Sequence, residues 1–213
     1  MKKGVLICLI FAFTTNLPAQ NSESIALNPP SKDRGKSVMS ALWQRKSVRD
    51  FDTAKITHQD LSDLLWAANG INRPEEGKRT APSALNAQDI DIYLFNETGV
   101  YVYNAKQHTL ELVAKGDNRK LFSGPVATDS HPSLILLLVS DISRFRIGEN
   151  TQKLEWAAMD AGIVAQNILL FCSSIDMVGR PRAGMNKQSI KELLHLNDQQ
   201  YPMLNIPVSY KKD

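Results

Sequence analysis

Apolar residues in this chain follow three spacings. They are nearly unbroken at residues 4–13, and they recur every three or four positions within residues 37–70 and 151–174. Elsewhere they gather in short runs between turn formers. Ser37 is placed to cap a helix in which Val38, Leu42 and Arg45 share related faces. A second helix starts at Thr57, with Asp60 in the third position of a capping box. Leu61, Leu64, Leu65 and Ala68 mark its buried face, and Asn69-Gly70 its stop. The longest helix is expected over residues 151–174, where Leu154, Ala157, Ala158, Ala161, Val164, Ala165, Ile168 and Leu169 make a broad apolar face. Its alanines and Gly162 suit close packing against another helix. Asn186 caps a further short helix.

Strands are expected over residues 90–95, 100–103 and 109–113, with turns at 97–99 and 104–108. Residues 134–139 form a continuous apolar run, suited to a strand covered on both faces. Residues 177–179 suit a short turn or strand, and residues 204–209 a closing strand. Residues 71–88 are polar, contain Pro74 and Pro82, and are expected to form a long functional or mobile loop. The class is α+β, with helices around a small mixed sheet. One domain fills residues 37–213, preceded by a linker or extended arm over residues 21–36.

A chain of 213 residues can bury one substantial core. Its 43% hydrophobic and 22% charged content is that of a soluble globular protein. Lys2, Lys3, the apolar run and the sequence Leu17-Pro18-Ala19-Gln20 together have the layout of a secretory signal peptide over residues 1–20. The run is shorter than the ~20 residues a membrane-spanning helix needs. The chain is therefore expected to be exported, periplasmic or secreted after cleavage; an uncleaved anchor or a buried helix is the competing reading. The net charge of +3 would fall to about +1 with the loss of Lys2 and Lys3, too little to point to a nucleic-acid partner. Cleavage would leave Cys172 as the only cysteine, which excludes an internal disulfide. His58, His108, His131 and His195 lack metal-ligand spacing, so no metal site is expected.

Candidate chemistry concentrates in Arg45-Lys46-Ser47-Val48-Arg49-Asp50-Phe51, where a helix gives way to extended chain. Alternation along an extended segment puts Arg45, Ser47 and Arg49 on one side. Guanidinium groups make paired, charge-assisted hydrogen bonds to phosphate oxygens, and a serine hydroxyl adds another. A solvated basic run at a helix end would have the same composition. Ala183-Gly184, after Val178-Gly179-Arg180-Pro181-Arg182, could admit a ligand close to the backbone or simply turn the chain.

Five segments in order resemble the nitroreductase family, and within it the SagB-type dehydrogenases. Arg45 to Arg49 is similar to the family's opening Arg-x-Ser-x-Arg/Lys signature. Thr80-Ala81-Pro82-Ser83-Ala84-Leu85-Asn86-Ala87-Gln88 resembles its Pro-Ser-x-x-Asn-x-Gln loop. Gly99 to Tyr103 with Leu110-Glu111-Leu112 and Gly116-Asp117-Asn118-Arg119 resembles the SagB-type hairpin. Asp160 to Asn167 resembles the central helix, and Asn205 to Tyr210 the closing strand.

The resemblance implies FMN held at a homodimer interface and two-electron (hydride) transfer through the flavin N5. Arg45 and Lys46 would neutralise its phosphate, Ser47 would sit near the phosphate or ribityl chain, and Arg49 would face the pyrimidine end of the ring. Pro82, Ser83, Ala84 and Asn86 would reach the same flavin from the other subunit. Ala183 and Gly184 would present backbone N–H groups to the N5 edge. No catalytic side chain is implied. The substrate would be a small organic molecule such as a nitroaromatic, a quinone or a peptide-derived heterocycle. The electron donor, NAD(P)H or another, is left open. Ser209 departs from the family's usual glycine, and Lys211 and Lys212 are candidates for its C-terminal phosphate-binding residue. The alternative function is a non-enzymatic exported module that keeps the fold and binds another ligand or a protein.

Overall fold

The computed structural model describes residues 23–122 and 132–212. The expected signal peptide lies outside the described residues. In chain order the elements are β1 (Ser24–Ala26), α1 (Val38–Gln44), α2 (His58–Asn69), β2 (Ile71–Arg73), β3 (Lys78–Arg79), β4 (Ile90–Phe95), β5 (Gly99–Asn104), β6 (Thr109–Lys115), β7 (Leu134–Asp141), α3 (Asn150–Ser174), β8 (Met177–Gly179), α4 (Lys187–Leu193) and β9 (Gln200–Tyr210). Ser37, Thr57 and Asn186 cap α1, α2 and α4 as their sequence positions predict, each accepting a backbone N–H two or three residues into its helix. Thr57 completes half of its capping box with Asp60 N–H; its own N–H goes to the Tyr210 hydroxyl. The carboxylate of Asp60 is taken by Arg34 and Tyr210.

Seven strands form the main sheet in the order β1-β6-β5-β4-β7-β9-β8, and each pairing between neighbours is antiparallel. This corrects the expectation of a small mixed sheet. The crossover through α3 does deliver β8 in the same direction as β7. The last strand, β9, then inserts between the two and pairs antiparallel with both. β9 is also longer than its apolar centre suggested, and Pro202 is accommodated where the β7–β9 register shifts.

β7 is buried along nearly its whole length because both sheet faces are covered. On one face Leu134, Leu136 and Leu138 pack with Leu64, Leu65 and Ala68 of α2 and Ala161, Val164 and Ile168 of α3. On the other, Ile135, Leu137 and Val139 meet Phe122, Ile190 and Leu194. Cys172 is packed within the first layer, and burial pushes its thiol up to about 12.

Two polar segments are more ordered than their composition suggested. Residues 71–79 are not loop but a two-stranded hairpin of β2 and β3, closed where Gly77 takes a left-handed φ of 63°. Of the alternatives for residues 21–36, the described part is a docked arm. β1 pairs with β6, and Arg34 then reaches Asp60 at 2.5 Å and Asp63 at 2.8 Å on α2.

Candidate functional site

The basic segment begins where α1 ends, with Arg45 as its C-cap. Ser173 on α3 fixes α1 by donating its hydroxyl to the Ala41 carbonyl at 2.8 Å. Beyond Arg45 the chain leaves the helix, bends at Arg49, and is anchored at its far end by buried Phe51. Ser209 supplies a second anchor, its hydroxyl accepting the Asp52 N–H at 3.1 Å while donating to the Tyr210 carbonyl. The side chain that departs from the family pattern thus fixes the backbone just after Arg49.

A recess of about 390 Å³ opens beside this segment, with Arg45, Lys46 and Lys211 on its wall together with Trp43, Asp176 and Gly179. Lys36 pairs with the one carboxylate there, Asp176, at 2.5 Å. The Lys211 N–H donates to the Asp176 carbonyl, which holds the C-terminal segment against the recess. Three cations around a hollow with its acid already neutralised are suited to a phosphate. Of the two C-terminal lysines, Lys211 lies on this wall, whereas Lys212 pairs with Asp50 at 3.0 Å. Ser47 and Arg49 are exposed and lie outside the recess wall.

The Pro82–Asn86 segment lies elsewhere. Asp160, on the buried face of α3, accepts the Ala84 N–H on both oxygens. Ser83 accepts the Gln88 N–H at 2.9 Å, and Arg144 holds the Gln88 carbonyl at 2.9 Å. Between these ties Leu85, Asn86 and Gln88 adopt left-handed φ values of 54°, 54° and 51°. Strained backbone of this kind persists only where its surroundings fix it, and it collects at functional sites. The two halves of the predicted site are therefore tied to different points of one helix, one near its middle and one near its C-terminal end. Ser173 and Asp160 are thirteen residues apart on α3, or about 20 Å at 1.5 Å per residue.

The third predicted piece follows β8. Ala183 and Gly184 are exposed, and their N–H groups find no protein acceptor among the described residues. A side chain at Gly184 would meet nothing within 4 Å, so the space before this backbone is open. Asn205 positions the segment from β9. It exchanges backbone hydrogen bonds with Arg182 at 2.8 Å, donates its Nδ2 to the carbonyls of Arg182 and Gly184, and accepts from Arg182 Nε at 2.9 Å.

Asn205 and Asp160 fall inside longer motifs, yet each carries a signal of its own in the sequence. Each is a polar residue at an inward position of an apolar repeat: Asn205 among the apolar residues of β9, Asp160 between Ala157, Ala161 and Val164. Such a residue must hold a partner that the core cannot supply. Trp43, on the recess wall, is 91% exposed in the single chain.

The chain matches the model of the nitroreductase family over residues 42–210 and belongs to that family. It is 32% identical to a crystallised protein of Ralstonia eutropha JMP134 named as a nitroreductase, with a TM-score of 0.84 over 92% of this chain and 93% of that one. It is 26% identical to a nitroreductase of Methanocaldococcus jannaschii across 179 residues, 80% of this chain and 89% of the relative. The Escherichia coli microcin synthetase complex McbBCD contains a chain of the same fold, at 19% identity and a TM-score of 0.67 over 95% of this chain and 85% of that one. The fold and the family make this chain an oxidoreductase of the flavin-dependent kind.

Proposed function

We propose that the chain is an FMN-dependent oxidoreductase of the SagB-type branch, exported and active as a homodimer, acting on a small organic substrate. The observation that carries the reading is the separation of the two half-sites along α3. Arg45, Lys46 and Lys211 gather near Ser173, while Pro82 to Asn86 gather near Asp160, about 20 Å away. A second copy running antiparallel along α3 would bring the two together, twice over, about a two-fold axis. The surface needed for that contact is apolar. Val38, Met39, Leu42 and Trp43 of α1 are 68%, 74%, 46% and 91% exposed, and Met159 and Ile163 of α3 are 64% and 36% exposed. Exposed apolar side chains on two helices packed together are what such an interface would cover.

The residues fit FMN. Arg45, Lys46 and Lys211 would hold the phosphate, Ser47 and Arg49 would lie along the segment that follows toward the ring, and the open N–H groups of Ala183 and Gly184 would face its N5 edge. When bound, FMN supplies the two-electron chemistry, and the protein contributes binding, orientation and local charge. The branch assignment rests on the hairpin Gly99 to Leu112 with its Gly116-Asp117-Asn118-Arg119 ending. Export rests on the opening residues Lys2, Lys3 and the apolar run. The test is titration of the purified protein with FMN, followed by flavin fluorescence. Saturable quenching at micromolar protein is expected, and its absence sinks the flavoprotein reading.

A further inference from the structure

We propose that Arg180 and Arg182 form a receptor for the carboxylate of an organic acid, so that the site prefers anionic substrates to their neutral isosteres. The inference rests on the flavin-site reading above, because it takes Ala183-Gly184 to border the substrate.

The residues after β8 continue antiparallel along β9. Gly179 stands opposite Val208, the Arg180 N–H donates to the Pro207 carbonyl, and Arg182 stands opposite Asn205. With a period of two, Arg180 and Arg182 share a face. The two charges lie close enough to interact: burial first, and then Arg180, lowers the Arg182 pKa.

Neither guanidinium meets a carboxylate among the described residues. Arg34 pairs with Asp60 and Asp63, Arg119 with Asp117, and Arg144 with Asp91, while partly buried Arg45 lines the phosphate recess with no ion pair among the described residues. Arg79 lacks an ion pair but is spent on two oxygens, the Gln88 amide and the Asn69 carbonyl. Arg182 uses only its Nε, on Asn205. The Nε of Arg180 is buried and has no hydrogen-bond partner at all. That desolvated donor without an acceptor costs free energy, and the neighbouring Arg182 cation adds repulsion. One small oxyanion held by the remaining guanidinium nitrogens would offset the repulsion between the two cations.

Its position favours a substrate over the cofactor phosphate. Arg45, Lys46 and Lys211 already provide a phosphate recess, whose wall includes neither Arg180 nor Arg182. The pair instead lies on the chain between Gly179 and the open Ala183-Gly184 backbone. A planar carboxylate matches the guanidinium fork, and two adjacent forks can hold it by both oxygens.

The probes are 4-nitrobenzoate and 4-nitrobenzamide, nearly the same shape and differing in charge, titrated calorimetrically into the protein as purified while its FMN content is recorded. The wild type should bind the benzoate about tenfold or more tightly than the benzamide. Arg180→Ala should abolish that preference with FMN content and benzamide affinity unchanged, and Arg180→Lys should keep part of it. Equal affinity of the wild type for both probes overturns the proposal, as does a benzoate affinity that survives Arg180→Ala. Loss of FMN from Arg180→Ala also overturns it, by making Arg180 a cofactor ligand. A protein that takes no FMN but keeps an Arg180-dependent benzoate preference upholds the receptor and instead removes the flavin reading.

Discussion

Asp160 receives the Ala84 N–H on both of its carboxylate oxygens, at 3.0 and 2.9 Å, and so ties the Pro82–Asn86 segment to the middle of α3. A second acid, fully buried Asp89, lies against it. Ser140 donates to one oxygen of Asp89, and the other has no partner. Burial above all, and then the neighbouring Asp160, pushes Asp89 up to about 7. The Ser140 hydrogen bond only partly offsets this.

The first prediction is a stability that depends on pH. In the unfolded chain Asp89 titrates near pH 4. Its folded pKa is raised, so folding favours the protonated form, and stability falls as pH rises from about 4 to about 7 before levelling. Asp89→Asn keeps an acceptor for Ser140, adds a donor toward Asp160 and cannot ionise. It should raise the unfolding temperature at pH 8 by several degrees, at roughly 2–4 °C per kcal/mol for a chain of this size, and change it little at pH 4. Thermal melts at the two pH values decide the matter; an equal shift at both would show that Asp89 does not titrate in this window.

The second prediction separates the phosphate from the ring. Arg45→Ala and Lys211→Ala each remove one cation from the recess wall. Either should weaken FMN about tenfold or more, the usual cost of a lost charged hydrogen bond, and weaken riboflavin much less. Equal losses for both ligands would place the phosphate elsewhere.

What the sequence revealed and what it hid follow from the range of the interactions. Caps and strands were legible because Ser37, Thr57 and Asn186 act within three residues, and alternation sets a strand wherever one face is buried. The basic segment was legible too, since its cations are consecutive. The sheet's all-antiparallel pairing was not, because it depends on β9 entering between β7 and β8, a choice made by packing over more than sixty residues. The same holds for Ser209 with Asp52 and Asp160 with Ala84, hydrogen bonds that span 157 and 76 residues. The hairpin at residues 71–79 was missed for another reason. Its strands are short and polar, and only Gly77 announces the turn.

Asn205 is expected to act on the flavin through the backbone it holds. Asn205→Asp keeps the acceptor for Arg182 Nε but loses both Nδ2 donors, those to the Arg182 and Gly184 carbonyls at 3.1 and 2.9 Å. Ala183-Gly184 is then less firmly placed. The flavin reduction potential and visible spectrum should shift while FMN affinity, set at the distant phosphate recess, changes less than about threefold. Spectroelectrochemistry gives both readings. An unchanged potential with lower thermal stability would reduce Asn205 to a structural role.

The arm should contribute measurably to folding. Burial would raise the Asp60 pKa, but hydrogen bonds from Tyr210, Thr57 and Arg34 outweigh it and hold the carboxyl below its ordinary value. Arg34 also meets Asp63, whose side chain is only 2% exposed. Arg34→Ala leaves that buried charge with fewer donors and should cost about 1–3 kcal/mol in urea unfolding. A change under about 0.5 kcal/mol would mean that the arm docks without stabilising the domain.

Assembly joins these elements to function most directly. If Arg45 and Asn86 serve one flavin, a second chain running antiparallel along α3 would close the ~20 Å between their tethers. The exposed apolar residues Trp43, Met39, Met159 and Ile163 lie on α1 and α3, the helices that carry the two tethers, so a two-fold interface there would be coupled to the site. An obligate interface of this class buries roughly 2,000 Å² or more and is largely apolar. A charge placed within it should be severely disruptive, since an unpaired buried charge costs several kcal/mol. Met159→Glu, on the solvent side of one chain, should leave the monomer fold intact by circular dichroism yet halve the mass seen by light scattering. FMN should be lost in the same step, with Arg45 and Lys211 untouched. Dilution of the wild type should show mass and flavin absorbance falling together. A Met159→Glu monomer that keeps its FMN at wild-type affinity would mean that one chain holds the whole site, and that Pro82 to Asn86 serve some other purpose.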